Sequence, residues 1–393
     1  MAIAIDIKSA LGNKTGKGVY AYNMVREMLK EKKHRFFLYS TVEHTHFSAA
    51  PVPSFEVSPS PDPILEEFRH CENATLLTFP SGPLWHLRVF WDVIRRARSG
   101  EISAYFSPSS FIVPALLVKF KVWFLSKGTT LRVLVTVHDL IAVNYGATHE
   151  KKAVWIERCT LPTVLHGADK IFAVSENTKK DVCERFHTNP DKVVITHNAV
   201  GELFKKNTHP DPLALNAFRE KYHLPPHFVL SLGTLVPRKN IGLTLSAFKL
   251  LQDGEKTRDL HLVIVGGGGW DRKEAARDPR VHVLGYIPYD ELPLVYACAE
   301  LFVYPSFYEG FGLPPLEAQA MSCPVITSNT SSLPEVVGDS AIMVDPHDAV
   351  ALRDAILLVY TDELLRKELI RKGLKNVERF SWVTSAHRAL ALL

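Results

Sequence analysis

Apolar residues in this chain gather into short runs rich in β-branched side chains, separated by longer stretches with helical spacing. In the first half the runs predict strands at Ala2–Ile7, Phe36–Tyr39, Leu76–Phe79, Ala104–Phe106, Arg132–His138, Lys170–Val174 and Val193–Thr196. In the second half they fall at Phe228–Leu232, Leu262–Val265, Val281–Leu284, Leu301–Tyr304, Pro324–Thr327 and Ala341–Val344. Strands that are apolar on both faces and alternate with helices belong in parallel sheets covered on both sides. The pattern predicts a doubly wound α/β architecture, used twice. A length of 393 residues, more than one core comfortably serves, agrees with two domains. The stretch Ala199–Pro226 mixes charge, histidine and Pro210, Pro212, Pro225 and Pro226 between two predicted strands. It divides the chain into a first domain at 1–200, a linker at 201–226 and a second domain at 227–393. The last helix is a candidate to pack back on the first domain. Ligands of open α/β sheets bind beyond the carboxyl ends of strands, so chemistry is to be sought just after each one.

With 46% hydrophobic and 22% charged residues, the chain reads as globular rather than disordered or fibrous. Its five cysteines (Cys71, Cys159, Cys183, Cys298, Cys323) are odd in number and form no C-x-x-C pair. That argues against a disulfide framework or a zinc site and fits a reducing, cytoplasmic compartment. The N-terminus shows no basic stretch followed by a long apolar one, as a secretory leader would. No uncharged apolar run reaches the roughly 20 residues that span a bilayer. Charge is uneven: residues 1–200 hold 25 Lys and Arg against 19 Asp and Glu, and residues 201–393 hold 21 against 23. A basic first half suits an anionic partner such as phosphate or lipid headgroups, although uneven solvated charge explains the count nearly as well. No nucleic-acid partner is expected.

The richest segment for chemistry is Ser306–Gln319, SFYEGFGLPPLEAQ. It follows the predicted strand Leu301–Tyr304 and opens a helix near Pro314 and Pro315, where the first amides need no intrahelical acceptor. The turn through Gly310, Phe311, Gly312 and Leu313 offers backbone N–H groups, and the helix start adds partial positive charge. Together they suit an anion or a sugar hydroxyl. Glu309 precedes the turn, and Glu317, eight positions on, is placed in the first helical turn. Each carboxylate can accept hydrogen bonds from a pair of vicinal hydroxyls. The alternative makes Glu317 a favourable helix-start charge and Glu309 a loop carboxylate.

Arg238 and Lys239 follow the strand Phe228–Leu232 and its exit at Gly233, where two cations can meet a diphosphate. His138 ends an apolar run, a position more often filled by a packed histidine, and Asp139 beside it reads as a turn or cap residue. Gly16, Lys17 and Gly18 form a flexible loop before a helix predicted to begin near Val19. The run Gly12–Gly18 is one residue short of a P-loop and lacks Ser or Thr after the lysine, so it is no Walker motif. Gly266–Gly269 lacks G-x-G-x-x-G and reads as a tight strand exit near a nucleotide.

EGFGLPPLE at Glu309–Glu317 resembles the signature turn of the family 4 retaining glycosyltransferases, enzymes of the GT-B fold, in which two Rossmann-like domains face each other across a cleft. Other segments resemble the family in its own order. They are GVYAYNMV (Gly18–Val25, preceded by Gly16), VTVHDL (Val135–Leu140), IFAVSENTKKDVCERF (Ile171–Phe186), VVITHNAV (Val193–Val200) and VLSLGTLVPRKN (Val229–Asn240). One position departs: many members carry arginine directly after the glycine that is Gly233 here, and this chain has Thr234. The resemblance implies that Lys239 is the family lysine and that Arg238 substitutes for the missing arginine.

On the same resemblance, His138, Glu309, Arg238 and Lys239 are the expected catalytic residues. Gly16, Gly18, Gly233, Gly310, Phe311, Gly312, Leu313 and Glu317 join Arg238, Lys239 and Glu309 in binding the donor. Glu317 would hold the ribose and Glu309 the transferred hexose, with His138 on the donor sugar or shaping the acceptor site. The implied activity is transfer of a hexose from a nucleoside-diphosphate sugar to a hydroxyl of a glycan or lipid-linked glycan, with retention. The leaving diphosphate would help take the acceptor proton. VTVHDL and GTLVPRKN have the form of mannosyltransferase-like members, which makes GDP-mannose the first donor to expect. No D-x-D occurs, so no metal and no cofactor are expected. Three rivals stay open: another GT-B enzyme such as an epimerase or phosphorylase, a nicotinamide oxidoreductase, and a non-catalytic nucleotide-sugar or lipid-binding module.

FIVPALLVKFKVWFL (Phe111–Leu125) carries apolar side chains around Lys119 and Lys121. Too short to span a bilayer, it suits an element lying in the membrane interface. Upstream, Leu84, Leu87, Trp91 and Ile94 fall at helical spacing beside Arg88, Arg95, Arg96 and Arg98. Core helices with solvated basic faces are an equal alternative. Together the segments predict peripheral contact of residues 84–98 and 111–125 with anionic lipid on the inner face of the cell membrane.

Overall fold

The computed structural model describes residues 2–11, 16–42, 62–82, 84–125, 129–146, 151–206, 208, 210–234, 236–251, 255–267 and 278–393. Residues 12–15 of the near P-loop, and Gly268 and Gly269, lie outside the described residues. Each apolar run named above forms a strand. The first sheet holds β1 (Ala2–Asp6), β2 (Arg35–Val42), β3 (Ala74–Pro80), β4 (Ala104–Ser107), β5 (Arg132–Val137), β6 (Lys170–Ala173) and β7 (Val193–Ile195). The second holds β8 (His227–Leu232), β9 (Leu260–Val265), β10 (Val281–Gly285), β11 (Leu301–Tyr304), β12 (Val325–Ser328) and β13 (Ile342–Val344).

The first sheet is ordered β3-β2-β1-β4-β5-β6-β7 and the second β10-β9-β8-β11-β12-β13, so the second repeats the winding of the first. In each, the chain builds outward on one side and then returns to build on the other. The loops of adjacent central strands therefore diverge, leaving a crevice at the carboxyl ends of β1 and β4, and again at those of β8 and β11. The apolar runs are continuous because both faces are covered. Val229, Leu262 and Val303 pack with the helices Ile241–Lys249 and Ala349–Thr361. Leu230, Val263 and Phe302 pack with Leu292–Cys298 and Leu313–Ala320 on the other face.

The first long helix, Gly16–Leu29, begins three residues earlier than the sequence predicts. Glycine in a helix costs about 1 kcal/mol relative to alanine. Here the buried side chains of Val19, Tyr20 and Met24 fix the helix against its neighbours and outweigh that cost. Between β7 and β8 the chain forms helices Glu202–Lys206 and Pro212–Lys221. The final helix, Trp382–Leu390, crosses back to the first sheet's layer: Trp382 packs edge-on against Tyr20 at 5.7 Å, and Ser385 Oγ donates to His197 O at 2.7 Å.

Candidate active site

β8 and β11 run side by side, with Val229 opposite Leu301 and Leu230 opposite Phe302, so the loops leaving them share one rim. From β8 the chain passes Gly233, whose N–H donates to Val265 O at 2.9 Å, and an exposed Thr234. It then makes the short turn Pro237–Lys239. From β11 it runs to Gly312, which caps helix Leu313–Ala320 with φ of 112°, a conformation that favours glycine. Gly310 is fixed by contact instead. A Cβ there would lie 1.8 Å from His138 O, because this turn is where the second domain touches the first.

At that rim Glu309 Oε1 meets Arg238 Nη1 and Lys239 Nζ, both at 2.7 Å, and accepts from Tyr304 OH at 3.0 Å. Burial opposes charge on Glu309, but Lys239 and Arg238 more than offset it and hold the carboxyl below its ordinary value. Lys239 is pushed down by burial, which the Glu309 charge only partly offsets. One carboxylate thus answers two cations. Arg238 Nε is buried without a hydrogen-bond partner, a cost of about 1–3 kcal/mol that an incoming anion can relieve.

His138 stands across the gap, buried, with Tyr20 edge-on at 4.8 Å. Its Nε2 lies 2.7 Å from Pro108 O. A carbonyl only accepts, so Nε2 carries the proton and Nδ1 is an acceptor. Burial, aided by Lys17, lowers the ring's pKa to about 4, so it is neutral at pH 7. Asp139 Oδ1 accepts from Ile141 N at 2.9 Å, a turn role.

The structure corrects three expectations at this rim. Glu317 is the fifth residue of its helix rather than part of the first turn, because Gly312, not the prolines, is the cap. It is turned inward and buried, and Tyr296 OH donates to its Oε2 at 3.3 Å. Burial lifts its carboxyl to about 7. The Phe311 ring packs against Phe380 at 5.3 Å and Leu313 is buried in the core, so any donor contact from these two falls to the backbone. Pro314 and Pro315 carry no N–H, leaving Leu313 as the amide donor of the first three helical positions. Gly16 and Gly18 lie in the first turn of helix Gly16–Leu29 rather than in a loop.

Other side chains complete the turn. Ser175 Oγ and Thr178 Oγ1, from the first domain, donate to Gly310 O at 2.6 and 3.0 Å. Tyr308 OH donates to Asp181 Oδ2 at 2.6 Å. The Glu335 carboxylate accepts from Glu176 N at 2.9 Å and Asn177 N at 3.3 Å, and pairs with His197 Nε2 at 2.9 Å. Ser175, Thr178, Asp181 and His197 lie in segments already noted for their resemblance to the family, but no site role was read for any of them; Ser175 is the N-cap before helix Glu176–Phe186. Among the described residues no group of three or more His, Cys, Asp or Glu side chains is arranged to hold a metal ion.

The two segments singled out for lipid contact form helices Trp85–Arg98 and Ile112–Phe124. Part of each is core: Ile94, Val113 and Leu117 are buried. Arg95 and Arg96 pair with Asp92 at 2.8 and 2.7 Å, and Lys121 with Asp169 at 3.2 Å, so these cations are engaged within the protein. Leu84, Leu87, Trp91 and Trp123 stay exposed, Trp123 at 81%. No described helix is long and apolar enough to cross a membrane.

Two family models match the chain: "Glycosyltransferase Family 4" over residues 15–201 and "Glycosyl transferases group 1" over residues 216–376. The chain is also 35% identical, over 259 residues, to the O-antigen chain mannosyltransferase B of Escherichia coli, covering 64% of this chain and 67% of that one. The chain belongs to glycosyltransferase family 4. This family 4 glycosyltransferase is further 33% identical over 237 residues to the serotype-specific mannosyltransferase WbdA of Escherichia coli, 57% of this chain and 28% of that longer protein. Its fold matches Anabaena HepE, solved in complex with UDP-glucose, with a TM-score of 0.71 at 16% identity and full coverage of both chains. The two sheets are thus the halves of a GT-B fold, and the family membership sets aside the oxidoreductase reading.

Proposed function

We propose that this glycosyltransferase moves a hexose from a nucleoside-diphosphate sugar to a hydroxyl of a glycan or lipid-linked glycan, with retention and without a metal or other cofactor. The observation that carries the proposal is the buried Arg238–Lys239–Glu309 cluster, two cations sharing one carboxylate oxygen at a strand switch point. The mannosyltransferases among its relatives favour mannose, hence GDP-mannose, and the HepE complex supports a nucleotide sugar in general.

On donor binding the diphosphate takes Arg238 and Lys239 over from Glu309, which turns to the hexose hydroxyls, while Glu317 receives the ribose. The bond between the anomeric carbon and the phosphate oxygen breaks. The acceptor oxygen bonds that carbon on the same face, and its proton passes to the departing phosphate oxygen. Arg238 and Lys239 stabilise the charge growing there; removing one such donor typically costs about 10²–10³ in rate. His138 Nδ1, as an acceptor, takes a hydrogen bond from a sugar hydroxyl. The exposed face of Leu84, Leu87, Trp91 and Trp123, with exposed Arg88 and Lys119, suits peripheral attachment to anionic lipid on the cytoplasmic side of the membrane.

The test is transfer from a panel of sugar nucleotides in EDTA, with the product's anomeric configuration read by NMR. Persistent transfer with the donor's configuration is expected. Loss in EDTA with rescue by magnesium or manganese would remove metal independence, and an inverted product would remove retention.

A further inference from the structure

Beside the donor cations, on the wall formed by the first domain, lies a polar group that donor chemistry leaves unused. Lys17 sits in the first turn of helix Gly16–Leu29, Asp139 follows β5, and Glu157 lies within helix Lys151–Gly167. Lys17 Nζ stands 3.9 Å from Glu157 Oε2, an ion pair too long for a hydrogen bond. Glu157 Oε1 is buried and has no hydrogen-bond partner. Asp139 spends Oδ1 on Ile141 N, and its charge is felt by both Lys17 and Arg238. Through Asp139 the group therefore adjoins the place proposed for the diphosphate.

The gap between Lys17 and Glu157 matches a hydroxyl. An oxygen about 2.8 Å from each closes the triangle without moving either, accepting from the ammonium and donating to the carboxylate. With His138 Nδ1, the wall offers three acceptors and one donor, which hydroxyl-rich sugars satisfy. Two carboxylates against one ammonium also leave a negative excess, which works against a phosphate or carboxylate on the incoming sugar. Burial lifts the Glu157 carboxyl, Lys17 pulls it back, and the neighbouring Asp139 charge adds to the lift.

We infer that Lys17, Asp139 and Glu157 form the acceptor subsite for an uncharged sugar, one of whose hydroxyls bridges Lys17 and Glu157. The inference rests on the reading that a nucleotide sugar occupies Arg238 and Lys239. It names the chemical class of acceptor that this wall admits and the class it rejects.

The experiment measures transfer to neutral methyl hexosides and to their monophosphates, with the melting shift given by nucleoside diphosphates followed in parallel. For wild type, kcat/KM for the phosphates is expected to be at least about a hundredfold below that of the neutral sugar. Glu157→Gln should raise the neutral acceptor's KM about tenfold, the loss of one charge-assisted hydrogen bond, with the nucleotide melting shift kept. Glu157→Lys should narrow the gap between neutral and phosphorylated acceptors. A wild type that uses a phosphorylated sugar as well as its neutral counterpart overturns the inference, as does an unchanged KM in Glu157→Gln. A wild type that no nucleoside diphosphate stabilises overturns the donor reading, and this inference with it.

Discussion

At Glu309 one carboxylate oxygen faces two cations that are also the expected diphosphate ligands, so the side chain competes with the substrate it serves. Glu309→Ala removes the competitor together with the proposed hexose contact. Affinity for a bare nucleoside diphosphate should hold or tighten while turnover falls about a hundredfold or more. Calorimetric Kd beside kcat checks this, and matched losses in both would contradict it. Glu317 behaves differently. Burial lifts its carboxyl from 4.5 to about 7, with the Tyr296 phenol pulling the other way. The unfolded chain ionises near 4.5 while the folded chain keeps its proton to about 7. Between these values stability falls as pH rises, by about 3 kcal/mol in all. Glu317→Gln should therefore melt above wild type at pH 8 and level with it near pH 4.5, yet bind nucleoside diphosphate more weakly. A variant melting below wild type at pH 8 would contradict the assignment. Both glutamates were legible as a spaced pair. The inward turn of Glu317 was not, because it depends on Tyr296 from another helix.

The strands were legible because each is apolar on two faces, and a run covered on both sides needs no alternation to be read. The start of the first long helix was not. Propensity argues against glycine at 16 and 18, and only the packing of Tyr20 and Met24 overrides it. The turn after β11 was recognised by its glycines, yet the duties of the two glycines separate only in three dimensions: Gly312 supplies a positive φ, and Gly310 admits His138 O. Gly310→Ala places a methyl group inside van der Waals contact and forces the two domains apart at the cleft. The expected results are a larger radius of gyration by X-ray scattering, a lower melting temperature and at least about a tenfold loss of transfer, for an overpacking cost of 1–3 kcal/mol. An alanine variant with wild-type scattering and activity would show that the contact is dispensable.

Across the whole molecule, Ser175 with Gly310 and His197 with Glu335 are joined over 135 and 138 positions. Sequence patterns cannot show pairings of that separation; the shared winding of the two sheets creates them. The same scale sorts the apolar segments of the first domain into core and surface, leaving Leu84, Leu87, Trp91 and Trp123 outside. Wild type is expected to co-sediment with anionic but not neutral vesicles, less so in high salt and in Trp123→Glu, which is exposed enough to fold normally. Protein that stays in the supernatant with anionic vesicles at low salt would end the membrane proposal. Whether Arg238 and Lys239 receive a nucleoside diphosphate is read most directly from melting temperatures in EDTA, for wild type and Lys239→Ala across a panel of nucleoside diphosphates. At about 100 times its Kd, the cognate nucleotide should stabilise wild type by about 2.7 kcal/mol, and Lys239→Ala should lose most of that gain at the same concentration. No stabilisation by any nucleoside diphosphate, or an equal gain in Lys239→Ala, would contradict it.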